Sequence, residues 1–139
     1  MSVEMDIEYK GDLLCEAVHG PSGNTLITDA PVDNGGKGSA FSPTDLVGTA
    51  LGTCLVTIMG LVAKSQGLDI DGTKVHVVKE MAATPSRRIG ALTVTITFPS
   101  GKPIRAEDRM RLENGAKTCP VKQSLHPDVQ VNIEFVYPD

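Results

Sequence analysis

Three observations predict an α+β fold with a mostly antiparallel sheet wrapped around two helices. Apolar and polar residues alternate near the start, in the second half and at the end of the chain; no charge occurs from Leu46 to Ala63; and a charged helical pattern runs from Ile104 to Lys117. These segments follow the order β-β-β-α-β-β-α-α-β, with strands and helices segregated, which argues against a wound parallel sheet.

Val3, Met5, Ile7 and Tyr9 alternate with Glu4, Asp6, Glu8 and Lys10, the period of a half-buried strand. Gly11-Asp12 is predicted to turn the chain into a second strand over Leu13 to Val18, which carries Cys15. After the loop Gly20 to Asn24, a short third strand covers Thr25 to Asp29, and the front section reads as a meander. Ala30 to Ser42 contains Pro31, Asn34, Gly35, Gly36 and Gly38, with Lys37 its one basic residue. A glycine-rich loop entering a helix invites a phosphate-binding reading. The Gly-Gly-Lys-Gly string lacks P-loop spacing and follows a weak strand, so a mobile connection is the preferred reading.

The helix predicted over 43 to 66 is the core of the design. Ser42 or Thr44 can cap it, Pro43 suits its first turn, and Asp45 complements the positive end of its dipole. Eighteen uncharged residues approach the length of a membrane span. Three glycines and three threonines dilute them, however, and no aromatic belt or basic cluster flanks them, so a soluble core helix is predicted. Gly48, Gly52 and Gly60 lie on one ridge, where another backbone could come close. Cys54 sits among Ala50, Leu51, Ile58 and Leu61, an apolar face that suits an inert core thiol better than a nucleophile.

Beyond the helix, Lys74 to Met81 forms a strand with Val75 and Val77 inward. Leu92, Val94, Ile96 and Phe98 alternate with three threonines in the clearest strand of the chain. The helix over Ile104 to Lys117 has Met110, Leu112 and Ala116 as its apolar members, and Gly115 weakens its last turn. Cys119 precedes Pro120 and a short helical stretch, so it is either a thiol activated at a helix N-terminus or a structural neighbour of the cap. Val129, Val131, Ile133, Phe135 and Tyr137 form the last strand.

At 139 residues the chain is expected to be a single domain, 1–139, with a moderate core. A net charge of -4 and a pI near 5.3 give no basic footprint for nucleic acid or an anionic membrane. The first residues have neither a basic n-region nor an apolar h-region, and three widely spaced cysteines suit a reducing compartment, so a cytoplasmic location is expected. No cofactor is expected, and no metal either, because His19, His76, His126 and the cysteines show no ligand spacing. A glycine-seamed helix with one sheet to cover it predicts a homodimer with that ridge in its central contact.

The Gly-rich loop, the run Ser42-Pro-Thr-Asp-Leu-Val-Gly-Thr-Ala-Leu-Gly-Thr-Cys54, and Thr118-Cys119-Pro-Val at a distance of 65 positions together resemble the osmotically inducible protein C and organic hydroperoxide resistance family. The similarity extends over nearly the whole chain. It implies an OsmC-like fold, an intertwined homodimer with a central hydrophobic helix, and thiol-dependent reduction of small organic hydroperoxides in oxidative stress defence. It also implies that Cys54 is the peroxidatic thiol and Cys119 the resolving one, joined by a disulfide on oxidation, with a dithiol reductant such as a lipoylated protein. Where the hydroperoxide-resistance branch carries a functional glutamate this chain has Thr44, with Asp45 one position later, so Asp45 is the candidate for that role. The branch's thiolate-pairing arginine has no counterpart, since residues 1–86 contain none; Lys37, His19, Arg87 and Arg88 are the cations available. Those departures favour a second reading, a non-enzymatic dimeric protein that binds a hydrophobic ligand near Cys54. A dithiol oxidoreductase without peroxide specificity is a third. Cys15, in an alternating strand, is expected to be dispensable.

Overall fold

A computed structural model describes residues 1–138. The chain packs as two compact units, one over Met1–Val47 and one from Gly48 onward. The first holds a three-stranded antiparallel sheet of β1 (Met5–Gly11), β2 (Leu14–His19) and β3 (Thr25–Thr28), in that order. The β1–β2 turn falls at Asp12-Leu13, one residue later than predicted, with φ of 56° and 66°. Both central residues being left-handed matches the twist of a tight hairpin.

The loop after β3 is not the slack connection predicted. A 3₁₀ turn over Val32–Asn34 ends at Gly35, whose φ of 88° places it in the left-handed region. At Gly36 a Cβ would collide with the Ala30 carbonyl, so the close approach demands glycine. Buried Asp29 anchors the loop, its Oδ2 accepting from Ser39 N at 3.0 Å and Ser39 Oγ at 2.7 Å.

Helix α1 (Pro43–Gln66) has the predicted bounds because a reciprocal capping box fixes its start. Asp45 N donates to Ser42 Oγ at 3.1 Å, and Ser42 N donates to Asp45 Oδ2 at 2.9 Å.

In the second unit, β4 (Lys74–Ala82) pairs antiparallel with β5 (Arg88–Thr97), and β5 pairs parallel with β6 (Gln130–Val136). Two three-stranded sheets thus replace the one expected, and three of the four strand pairings are antiparallel. Between β5 and β6 the chain passes through α2 (Ala106–Ala116) and α3 (Pro120–Ser124), the kind of long connection that parallel neighbours need.

Every fourth residue of α1, namely Leu51, Leu55, Met59 and Ala63, is buried against Leu92, Val94, Ile96 and Phe98 of the β5 segment and Leu112 and Ala116 of α2. Two corrections follow. Gly48 and Gly52 serve this packing within one chain: a Cβ at Gly52 would stand 2.9 Å from Val77 and 3.1 Å from Val75, whereas one at Gly60 would meet nothing within 4 Å. The ridge is therefore mostly occupied by the chain's own β4. In addition, Met110 is 64% exposed, and beside Leu112 and Ala116 the helix buries Asp108, held by Arg105 Nε at 3.2 Å and Arg111 Nη1 at 2.9 Å.

Candidate active site

Cys54 lies half-buried in the middle of α1, packed against the core, and Cys119 is completely buried. Their thiols are within hydrogen-bonding reach of each other. What brings them together is the end of α2. A side chain at Gly115 would stand 2.7 Å from Val62 Cγ2 and 3.8 Å from Ile58 Cγ2, so this glycine lets α2 lie directly on α1 one to two turns beyond Cys54. Four residues later Cys119 is delivered to the same place. Gly115 reads in sequence as a weakness of the helix; the usable signal was its position one turn before Cys119.

The turn around Cys119 is closed by local bonds. Thr118 Oγ1 donates to Gly115 O at 2.7 Å, and Cys119 N donates to Ala116 O at 3.1 Å. Gln123 Nε2 donates to Lys117 O at 3.2 Å. Cys119 is the N-cap of α3, with Pro120 at the first helical position, and its Sγ accepts from Lys122 N at 3.4 Å.

Cap position alone predicts an acidified thiol, and here the opposite holds. Burial is the largest influence and raises the Cys119 pKa, and the hydrogen bond with Cys54 raises it further; the N–H groups of Lys122 and Val121 oppose this only in part. A five-residue helix contributes little dipole, so desolvation wins. Burial, with Cys54 acting in the same direction, favours the neutral thiol at Cys119.

The remaining candidates are placed elsewhere. Asp45 and its neighbour Thr44 belong to the α1 cap: one Asp45 carboxylate oxygen takes the Ser42 N–H, and Thr44 Oγ1 lies 3.3 Å from Ser42 Oγ. Cys15 lies on β2 in the N-terminal unit, where it lines an apolar groove of about 490 Å³ together with Met5, Ile7, Leu26, Pro43 and Leu46. In the glycine-rich loop, the N–H groups of Gly35, Gly36, Gly38 and Ser39 are all spent on Val32 O, Pro31 O, Ala30 O and Asp29 Oδ2, so this loop presents no cradle for phosphate. Lys37 pairs with Asp12 at 3.2 Å, His19 Nδ1 lies 2.6 Å from Ser22 Oγ, and Arg88 Nη1 donates to Ile89 O at 3.3 Å. Among the described residues no three His, Cys, Asp or Glu side chains converge as metal ligands.

Comparison with known proteins gives a consistent picture. A family model described as OsmC-like protein matches residues 36–134. A crystal structure of a candidate osmotic stress induced and detoxification response protein from Psychrobacter arcticus 273-4 is 44% identical, covering 94% of this chain and 93% of that one, with a TM-score of 0.88. An organic hydroperoxide resistance protein from Legionella pneumophila is 15% identical over 98% of this chain and 97% of its own, with a TM-score of 0.76. OhrB of Bacillus subtilis, another organic hydroperoxide resistance protein, is 17% identical over 97% and 98%, with a TM-score of 0.68. At these lower identities the likeness is one of fold. No curated protein matches the chain.

Proposed function

Because this chain belongs to the OsmC-like protein family, we propose that it is a thiol-dependent peroxidase that reduces small organic hydroperoxides in the cytoplasm. The observation that carries the reading is the pair of neighbouring thiols, Cys54 half-buried and Cys119 fully buried. Cys54 is the attacking sulfur. It takes the distal oxygen of the hydroperoxide, the O–O bond breaks, and the alkoxide leaves as the alcohol after gaining a proton. The resulting Cys54 sulfenic acid is attacked by Cys119, water departs, and a disulfide closes within one chain. A dithiol then restores both thiols. Asp45 acts by fixing the start of α1, as a positioning residue and not a catalytic one.

We also propose that the protein works as a homodimer. Met5, Ile7 and Tyr9 are 61%, 70% and 62% exposed on one face of β1, and a second copy is the partner that would cover them.

Consumption of cumene hydroperoxide with dithiothreitol, against hydrogen peroxide as control, tests the reaction. The organic substrate should be preferred, Cys54→Ser should abolish turnover, and Cys15→Ser should leave it intact. Peptide mapping after one equivalent of hydroperoxide should find the Cys54–Cys119 disulfide. Turnover that survives Cys54→Ser would overturn the assignment.

A further inference from the structure

Helix α2 decides whether the two thiols meet, because its Gly115 contact with Val62 and Ile58 delivers Cys119 to Cys54. On that side the helix presents Leu112, Gly115 and Ala116, and the packing is apolar. Apolar attraction is non-directional, and a glycine and an alanine offer little relief to lock into a groove. The helix is thus held close to α1 without its rotation or its position along its own axis being set. The ion pairs of buried Asp108 do not set them either, since Arg105 and Arg111 belong to the same segment. Two contacts that do leave the helix fall one turn apart and end on the same residue. The Arg109 guanidinium carbon lies 4.2 Å from the centre of the Tyr137 ring, and the Tyr137 hydroxyl donates to Glu113 Oε2 at 2.8 Å.

Tyr137 can serve as a fixed point because both neighbouring strands hold it. It follows β6 directly, its ring stacks on Phe98 with centroids 4.5 Å apart and 7° between the planes, and Phe98 N donates to Val136 O at 2.9 Å. Phe98 itself is 2% exposed, one residue past the end of β5. Burial first and the Glu113 carboxylate second raise the Tyr137 pKa, so the hydroxyl remains a donor to that carboxylate. From Glu113 the restraint runs along backbone bonds to the thiol. Lys117 N donates to Glu113 O at 3.3 Å, Thr118 N to Gly115 O at 3.0 Å and Cys119 N to Ala116 O at 3.1 Å.

We infer that Tyr137 is a positioning residue for the resolving step: through Glu113 and Arg109 it holds α2 where the Cys119 sulfur can attack Cys54. This rests on the peroxidase reading and adds to that site a residue outside the thiol pair. In the step itself an S–S bond forms, the S–O bond of the Cys54 sulfenic acid breaks, and the oxygen leaves as water with the Cys119 proton. The competing step is oxidation of the same sulfenic acid to sulfinic acid by a second hydroperoxide, which leaves as its alcohol. Disulfide geometry is narrow, and a misplacement of about 1 Å can slow an intramolecular reaction by orders of magnitude. The hold on α2 therefore sets how often resolution wins.

The test uses the full chain with Cys15→Ser, so that Cys54 and Cys119 are the thiols present. Equilibration in glutathione buffers gives the effective concentration of one thiol toward the other without any hydroperoxide. Tyr137→Phe keeps the ring and removes the hydroxyl, and it should lower that concentration about tenfold. Glu113→Ala should match it and is the independent arm should Tyr137→Phe not fold; Glu113→Gln, which retains an acceptor, should stay near the native value. With excess cumene hydroperoxide, the share of Cys54 recovered as sulfinic acid should rise in the two lowered variants. A role in stability alone would weaken the dithiol and disulfide forms equally against urea and leave the effective concentration where it is. An unchanged value in Tyr137→Phe or in Glu113→Ala therefore overturns the proposal. If both variants lower it but the hydroperoxide oxidises neither thiol of the native chain, the peroxidase reading fails and Tyr137 still positions the dithiol. A native chain that forms no disulfide in any glutathione buffer overturns both.

Discussion

Strands β1 and β5 carry the same alternation of apolar and polar residues, yet their apolar faces end in opposite surroundings. In the second unit, Leu92, Val94 and Ile96 are 0% exposed and Phe98 2%, sealed by α1 and α2. In the first unit, Met5, Ile7 and Tyr9 stay more than half exposed beside an open apolar groove. Period-two patterning states which face of a strand is to be kept from water; it does not state whose residues do the covering. One face is satisfied within its own unit, and the other is left for a further surface, which the proposed dimer supplies.

The largest effect separating the two units should come from the sealed one. Leu55 is 0% exposed at the centre of the α1 packing, so Leu55→Ala removes buried methyl groups and leaves a cavity, at a cost of about 2–5 kcal/mol. Urea denaturation reads it directly. A loss below about 1 kcal/mol would mean that the core seen here can collapse around the change, and the contrast with β1 would weaken.

A smaller effect of a different kind is expected at β1. Ile7→Glu places a charge on a face that is 70% exposed at that residue, so the single chain should tolerate it. If a second copy covers that face, association should weaken tenfold or more, equivalent to at least about 1.4 kcal/mol. Sedimentation velocity at micromolar concentration should then show monomer where the native chain shows dimer. A variant that still sediments as a dimer would detach β1 from the interface.

The same contrast explains what could be read from the sequence. Helix α1 was legible to its ends because its signals are local: the Ser42/Asp45 box, Pro43 at the first turn and the uncharged run behind them. The order of all nine regular elements was legible for similar reasons. Strand pairing was not. That the strands form two sheets, and that β6 joins β5 in parallel, depends on contacts far apart in sequence. At the candidate site, the two cysteines could be picked out as candidates from the sequence, but the sign of the Cys119 shift could not. It is set by burial and by Cys54, neither of which is visible in the residues around position 119. Met110 was misread and the packing role of Gly115 was not seen for the same reason: both depend on which side of α2 faces α1.

Asp29 offers the finest test, because it is a buried carboxylate in the unit whose β1 face stays open. The Ser39 hydroxyl, more than any other partner, holds its carboxyl below the ordinary value of 3.8, with the Ser39 N–H acting in the same direction and burial opposing them. With the folded value depressed, the loop is stabilised at pH above the unfolded value, and that contribution disappears as pH falls through the folded one. The change should therefore appear below about pH 4. It should be local, since the loop's N–H groups at Gly36 and Gly38 bond to carbonyls that do not titrate. Hydrogen exchange, corrected for intrinsic rates, should show protection at Ser39 N–H falling as the pH drops below about 4, while protection in β5 holds. In Asp29→Asn the Ser39 protection should be low throughout and flat with pH. An equal pH response in variant and native chains would assign the titration to some other carboxylate, and Asp29 would then not be the anchor of the loop that leads into α1.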